Sequence, residues 1–231
     1  MDECDVIFLT VPDGSIRSVW EDIRKLEIKG KIICHCSGAM SAGEAFPGIE
    51  EAGAFGYSVH PLFAVSDRFS AYRELTDVFF TVEGSEEHIH TVKRLIESAG
   101  NPVRIIEAAK KTLYHCAAAV ASNLVCGLAD QSVQLMEECG FSRDEAVKAL
   151  APILTGNMKH IAEIGPAKSL TGPVERNDVS TVKKHLDCLN DEEEKQLYRL
   201  LSLRLVKLAQ ERHPDRDYAG MKKALRKDEE K

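Results

Sequence analysis

Cys4-Asp5-Val6-Ile7-Phe8-Leu9-Thr10-Val11, closed at once by Pro12-Asp13-Gly14-Ser15, is the stretch that decides the architecture. Continuous Val, Ile, Phe and Leu without polar alternation is the composition of a strand covered on both faces of a parallel sheet. The punctuation after it predicts a turn into a helix over 16–26, with Ile16, Val19, Trp20, Ile23 and Leu26 on one face. A strand of this kind needs neighbours. Four further apolar runs supply them, so strands are expected over 4–11, 31–36, 54–60, 77–83 and 102–106. Between them, Ser41-Ala42-Gly43-Glu44 is a capping-box pattern that opens a short helix, interrupted by Pro47 and stopped near Gly53. A third helix is expected over 85–99, closed by Gly100-Asn101-Pro102. Strands alternating with helices imply an α/β fold with an open, mostly parallel sheet.

From Glu107 onward the pattern is helical, with helices expected over 110–139, from Ser142-Arg143-Asp144-Glu145, and over 178–189, 191–213 and 215–227. The expected domains are therefore 1–106, carrying the sheet, and an all-α unit over 107–231. Ala117, Ala118, Ala119, Ala121 and Gly127 give the first long helix a small-residue face that another helix can approach closely. A homodimer through the helical domain is the corresponding expectation. Lys227 to Lys231 reads as a solvated tail.

Among 231 residues, 29% are charged and 44% hydrophobic, the balance of a globular protein. A net charge of -7 argues against a nucleic-acid partner, which would need a basic face. The longest apolar candidate, Cys116 to Ala129, contains Ser122 and Asn123 and stops at Asp130, so no membrane span is expected. Asp2, Glu3 and Asp5 stand where a signal peptide would need a basic region, and a cytoplasmic location follows as an expectation. Seven cysteines (4, 34, 36, 116, 126, 139 and 188) read as reduced structural thiols, most of them buried in apolar stretches. On a strand, Cys34 and Cys36 share one face while His35 points away, and no second ligand pair follows, so no metal site is expected.

Candidate chemistry starts at strand ends, because open α/β sheets bind ligands outside the carboxyl ends of their strands. Three tips share one edge if the sheet is parallel: Thr10-Val11-Pro12-Asp13, Cys36-Ser37-Gly38 and Ser58-Val59-His60-Pro61. Ser37 offers a hydroxyl, Gly38 close backbone approach, and His60 a group that titrates near neutrality. Taken singly, each reads as a cap or a turn; together they read as a site. On the long helix, Lys111, His115 and Ser122 fall within about 40° of one another, with Ala118 between them and Asn123 at the margin. Such a stripe suits a cleft wall. The competing reading has Lys111 solvated, His115 as a hydrogen-bonded interdomain residue and Ser122 as packing, while Tyr114 and Cys116 point away into core or interface. Finally, Leu170 to Asp178 is a tight connection ending in an N-cap, where Arg176 can either clamp a carboxylate or phosphate or pair with an acidic neighbour.

Several motifs are absent. No Gly-x-Gly-x-x-Gly occurs, and Gly38 and Gly43 have P-loop spacing but lead into Glu44-Ala45. Neither a Gly-x-Ser-x-Gly elbow nor a His-Glu-x-x-His helix is present, which leaves hydrolase and metalloprotease readings little support.

Residues 5–13, His35 to Gly38, Gly56 to Pro61, Lys111 to Asn123 and Leu170 to Arg176, in that order, resemble a bacterial family of Rossmann-like proteins. That family has a C-terminal helical domain of unknown function, is described as NAD(P)-binding, and is similar to the 6-phosphogluconate-dehydrogenase-like oxidoreductases. Thr171 to Arg176 is the most specific part of the resemblance. His60-Pro61 also resembles the His-Pro of prephenate dehydrogenase that touches the substrate, and Ser37-Gly38 matches where such enzymes hold the nicotinamide end.

The resemblance implies an NAD(P)-dependent oxidoreductase of the dehydrogenase/reductase type, using NADP or NAD on a small metabolite, an anionic one included. His60, Lys111 and His115 are then the candidate catalytic residues. Pro12, Asp13, Ser37 and Gly38 border the cofactor, and Ser122, Asn123 and Arg176 contact substrate. One departure stands out: the family's first unit, strand, Gly-rich turn and helix, has no counterpart here. The expectation is an amino-terminally truncated Rossmann half that binds a dinucleotide poorly alone. The rival reading is a non-catalytic metabolite-binding or dimerisation protein.

Overall fold

The computed structural model describes residues 3–65, 67 and 69–226. Five strands form where apolar runs stand: β1 (Val6–Leu9), β2 (Ile32–His35), β3 (Phe55–Pro61), β4 (Phe80–Gly84) and β5 (Val103–Ile105). They pair in chain order, β1-β2-β3-β4-β5, and every neighbouring pair is parallel except β3 with β4. The antiparallel step has a local cause. A parallel crossover needs a covering helix, and among the described residues the segment between Pro61 and Phe80 contains only a 3-10 turn, Ala71–Glu74. The result is an α/β, Rossmann-like, mostly parallel sheet followed by helices.

Side-chain alternation on the strands builds two cores. Leu9 and Ile33 face α1 (Asp13–Ile23) and α2 (Ala42–Ala45), where Ile16, Trp20, Ile23 and Phe46 are buried. Trp20 is fully buried, meets Phe46 edge-on at 5.4 Å and donates its indole N–H to the Pro47 carbonyl at 3.0 Å. Ile32, Cys34, Tyr57, Val59 and Val82 face the other way, onto Val92 of α3 (Ile89–Glu97). Both faces of the central strands β2 and β3 are therefore covered, as strands without polar alternation require, whereas on the edge strand β1 Phe8 stays 37% exposed.

Helices α4 (Lys111–Ala121), α5 (Asn123–Glu138), α6 (Arg143–Ile164), α7 (Pro166–Ser169), α8 (Val179–Cys188), α9 (Glu192–Arg212) and α10 (Ala219–Leu225) follow. The chain divides into two compact units, Met1–Val125 and Cys126–Lys231. Residue 107 thus marks the change of secondary structure, while the units part further on, inside α5. The second unit has its own core, with Val182, Val206, Ala209, Tyr218, Met221 and Leu225 buried together.

Four expectations need correction. The single helix over 110–139 is broken at Ser122, whose φ of -119° and ψ of -79° leave the helical basin; a Ser-Asn pair offers the backbone local side-chain bonds that compete with the helical ladder. Helical residues Ala108–Glu138 do reach membrane-spanning length and apolarity by composition, with a mean hydropathy of 1.3 in their most apolar window. Most cysteines are not buried: Cys34 is, Cys36 is half-buried, and Cys4, Cys116, Cys126, Cys139 and Cys188 are exposed free thiols. The last expected helix starts at Ala219 rather than 215, and the tail 227–231 lies outside the described residues.

Candidate functional site

Because β1, β2 and β3 run parallel, their carboxyl ends share an edge, and the loops leaving them meet. Ser37, 4% exposed after β2, donates its hydroxyl to Asp13 Oδ2 at 2.6 Å. Ser37 Oγ itself accepts the backbone N–H groups of Ala39 and Met40 at 3.2 and 3.1 Å. Its hydrogen bonding is therefore spent on pinning the loop after β2 to the first residue of α1. Pro12 occupies the N-cap of that helix and accepts Ser15 N–H at 2.8 Å through its carbonyl. These groups shape the edge.

Gly38 lies where the loop passes closest to the helix. A β-carbon there would stand 2.6 Å from His60 Nε2 and 2.9 Å from His115 Cδ2, so glycine is required for lack of space. His60, at the end of β3, bonds through Nδ1 to the Tyr114 hydroxyl on α4 at 2.8 Å. Loss of water, then the charge of Lys111 and the neighbouring His115, press the His60 pKa down to about 4. The imidazole is consequently neutral at pH 7, which corrects the expectation that His60 titrates near neutrality.

Lys111 is also not the solvated residue of the simpler reading. It is 2% exposed and donates through Nζ to Ser58 Oγ at 2.5 Å; Ser58 in turn donates to the Ser37 carbonyl at 3.2 Å. Burial lowers the Lys111 pKa to about 8, partly offset by Glu83, Asp13 and Cys36. Glu83, 4% exposed and opposite Ser58 in the β3–β4 register, accepts Ala42 N–H at 2.9 Å, and burial raises its pKa.

A cavity of about 610 Å³ opens beside these groups. His60, Tyr114 and His115 form one part of its wall, Leu62 to Val65 another, and Ala118, Ser122 and Asn123 of the helical stretch a third. His115, Ala118, Ser122 and Asn123 thus share a wall as the helical spacing implies, while Lys111 lies behind it. Among the described residues, no lysine or arginine lines the cavity. Arg176 belongs to the second unit, where it is exposed on the turn before α8. That turn is fastened locally: Glu175 bonds His213 at 2.6 Å, its carbonyl accepts from Arg216 and from Tyr218, and Asn177 donates to the Asp217 carbonyl. Among the described residues, no group of three or more His, Cys, Asp and Glu is arranged to hold a metal.

Three contributors escaped the sequence reading. Tyr114, assigned away from the cleft, sits on its wall; about -60° from Lys111 on the helical wheel, it borders Ala118 at about -20°. Ser58 was legible as a strand-end hydroxyl, but its partner lies 53 residues away. Glu83 carried a signal of its own, a lone carboxylate inside an apolar strand.

A family model described as Domain of unknown function (DUF2520) matches residues 78–205, from β4 into α9. The chain belongs to this family. The DUF2520 chain is similar to the crystal structure of protein TM1727 from Thermotoga maritima, at 26% identity and a TM-score of 0.76, over 91% of this chain and 80% of that one. It is also similar to BF3122 from Bacteroides fragilis, a candidate NADP oxidoreductase, at 18% identity and a TM-score of 0.65, over 89% and 76%. An NADH-preferring ketol-acid reductoisomerase from an uncultured archaeon aligns at 14% identity and a TM-score of 0.62, over 93% and 66%. Identities this low in the latter two show the fold alone. No curated protein matches the chain.

Proposed function

We propose that the chain serves NAD(P)-dependent oxidoreduction of a small metabolite, with chemistry at the edge where Gly38, His60, Tyr114 and His115 meet. That convergence beside a 610 Å³ cavity is the observation that carries the reading. The nicotinamide cofactors in the names of two structural neighbours support it. Pro12, Asp13, Ser37 and Gly38 would border the nicotinamide end, the α-carbon of Gly38 being packed against the His60 and His115 rings. A Gly-x-Gly-x-x-Gly phosphate loop is not in this sequence. When bound, the cofactor supplies or accepts the hydride.

The chain's own residues handle position and charge. With the Tyr114 hydroxyl donating to Nδ1, the neutral His60 keeps its hydrogen on Nε2 and donates it to a substrate oxygen. Lys111, whose charge reaches His60, stabilises negative charge there from behind the wall. Leu62, Phe63, Val65 and the alanines favour an apolar substrate arm over an anionic one, and Ser122 and Asn123 offer polar contacts beside them. We include in this proposal a cytoplasmic homodimer formed through the helical region.

Reduced nicotinamide mononucleotide, which lacks the adenylate half, is the direct probe. Its fluorescence is expected to respond to the chain, and Gly38→Leu is expected to abolish the response. No response from the native chain would overturn the reading. With a turned-over substrate in hand, His60→Ala should lower kcat more than cofactor affinity; unchanged turnover would remove His60 from the chemistry.

A further inference from the structure

The second compact unit holds a cavity that the proposed oxidoreductase site does not use. We infer that it binds a small polyanion of the diphosphate class. The cavity measures about 790 Å³ and is framed by α8, α9 and the end of α10. Lys183 and Asp187 come from α8, Lys195 and Arg199 from α9, and Lys223 and Arg226 from α10 and the residue just past it. The first two pairs are four residues apart, the spacing that puts both members on one helical face. Three helices therefore aim their basic faces at one space.

Two observations separate this cluster from a solvated surface. Arg199 is only 17% exposed in its side chain; its Nη1 pairs with Glu192 Oε1 at 3.0 Å, yet its Nε is buried with no hydrogen-bond partner. A buried guanidinium donor without an acceptor is unfavourable unless something supplies one. In addition, none of Lys183, Lys195, Lys223 and Arg226 forms an ion pair among the described residues, although carboxylates outnumber cations in the whole chain and Arg143 pairs with both Asp130 and Glu137. Like charges gathered around one cavity repel unless an anion sits between them.

The composition of the wall sets the ligand class. Among the described residues, five cations face only Asp187 and Glu192, more positive charge than a single sulfate neutralises. Lysines contribute mobile point charges and the arginines planar forks, the combination suited to several phosphate oxygens spread over the space.

Isothermal titration of the full chain with inorganic pyrophosphate at constant ionic strength, with sulfate as the control anion, tests this. The expected result is one site per chain, with pyrophosphate bound at least about ten-fold tighter than sulfate. The double variant Lys183→Gln/Lys223→Gln should weaken pyrophosphate at least about ten-fold while far-UV circular dichroism and the ligand-free Tm stay unchanged. Equal weak binding of both anions, or undiminished binding by the double variant, would overturn the inference. A chain ending at Arg226 removes Asp228, Glu229 and Glu230. Unchanged affinity supports the site, whereas binding seen only after that truncation would identify the acidic tail as occupant and overturn the small-ligand reading.

Discussion

Lys111 joins the sequence, the sheet edge and the pH response in one side chain. Its ammonium is drawn from water onto Ser58, and burial holds its pKa to about 8 against 10.5 for a free lysine. Between those values the unfolded chain binds more protons than the folded one, so stability must rise with pH across that window. The burial penalty is fully felt below about pH 8 and gone above 10.5. In urea unfolding, the native chain should gain on the order of 2–3 kcal/mol relative to Lys111→Met between pH 8 and 10.5. Parallel curves for the two proteins would mean that Lys111 is not held as described. Gly38 makes a second residue-level claim. Gly38→Ala places a methyl group 2.6 Å from His60 Nε2, and should lower stability by about 1–3 kcal/mol and shift the His60 imidazole resonances in NMR. Stability and spectra like those of the native chain would show that the loop yields freely. Both positions could be singled out in the sequence, as a strand-tip glycine and a lysine on the His115 stripe. The neutrality of His60 could not be, because it follows from burial and from charges brought from other elements.

At the scale of elements, the signals that survived folding were those whose chemistry is local. The capping boxes at Ser41/Glu44 and Ser142/Glu145 both form as the spacing implies, each with reciprocal side-chain and backbone bonds. Ser142→Ala should therefore reduce stability by about 1 kcal/mol, read as a lower midpoint in urea with an unchanged slope. An unchanged midpoint would mean that α6 is held by packing rather than by its cap. Strand positions were equally legible, since an uninterrupted apolar run needs cover on both faces. The reversal of β4 was not, because direction depends on whether the segment between Pro61 and Phe80 provides a covering helix, and its composition does not announce a 3-10 turn. The break at Ser122 escaped for a related reason: Ser and Asn are tolerated inside helices, and periodicity continues across them.

For the molecule as a whole, the open question is what covers α4. Its Lys111 side is engaged with β3, and the opposite side presents Leu113 and Val120, 65% and 53% exposed, with Leu124 at 59% just beyond the break. Leu113 and Val120 lie about 200° and 180° from Lys111 on the helical wheel, so one helix carries a polar, site-facing side and an apolar, exposed side. Apolar faces of this kind mark interfaces, and the small residues along the same helix allow close approach by a second helix. A second copy of the chain is the occupant proposed here; the other candidate is a lipid surface, since the stretch is long and apolar enough by composition. Light scattering after size exclusion at micromolar concentration should return a dimer mass, and Leu113→Glu/Val120→Glu should return a monomer with the same circular dichroism. Flotation with liposomes should leave the native chain in the dense fraction. A monomeric native chain that floats would exchange the dimer for a membrane surface.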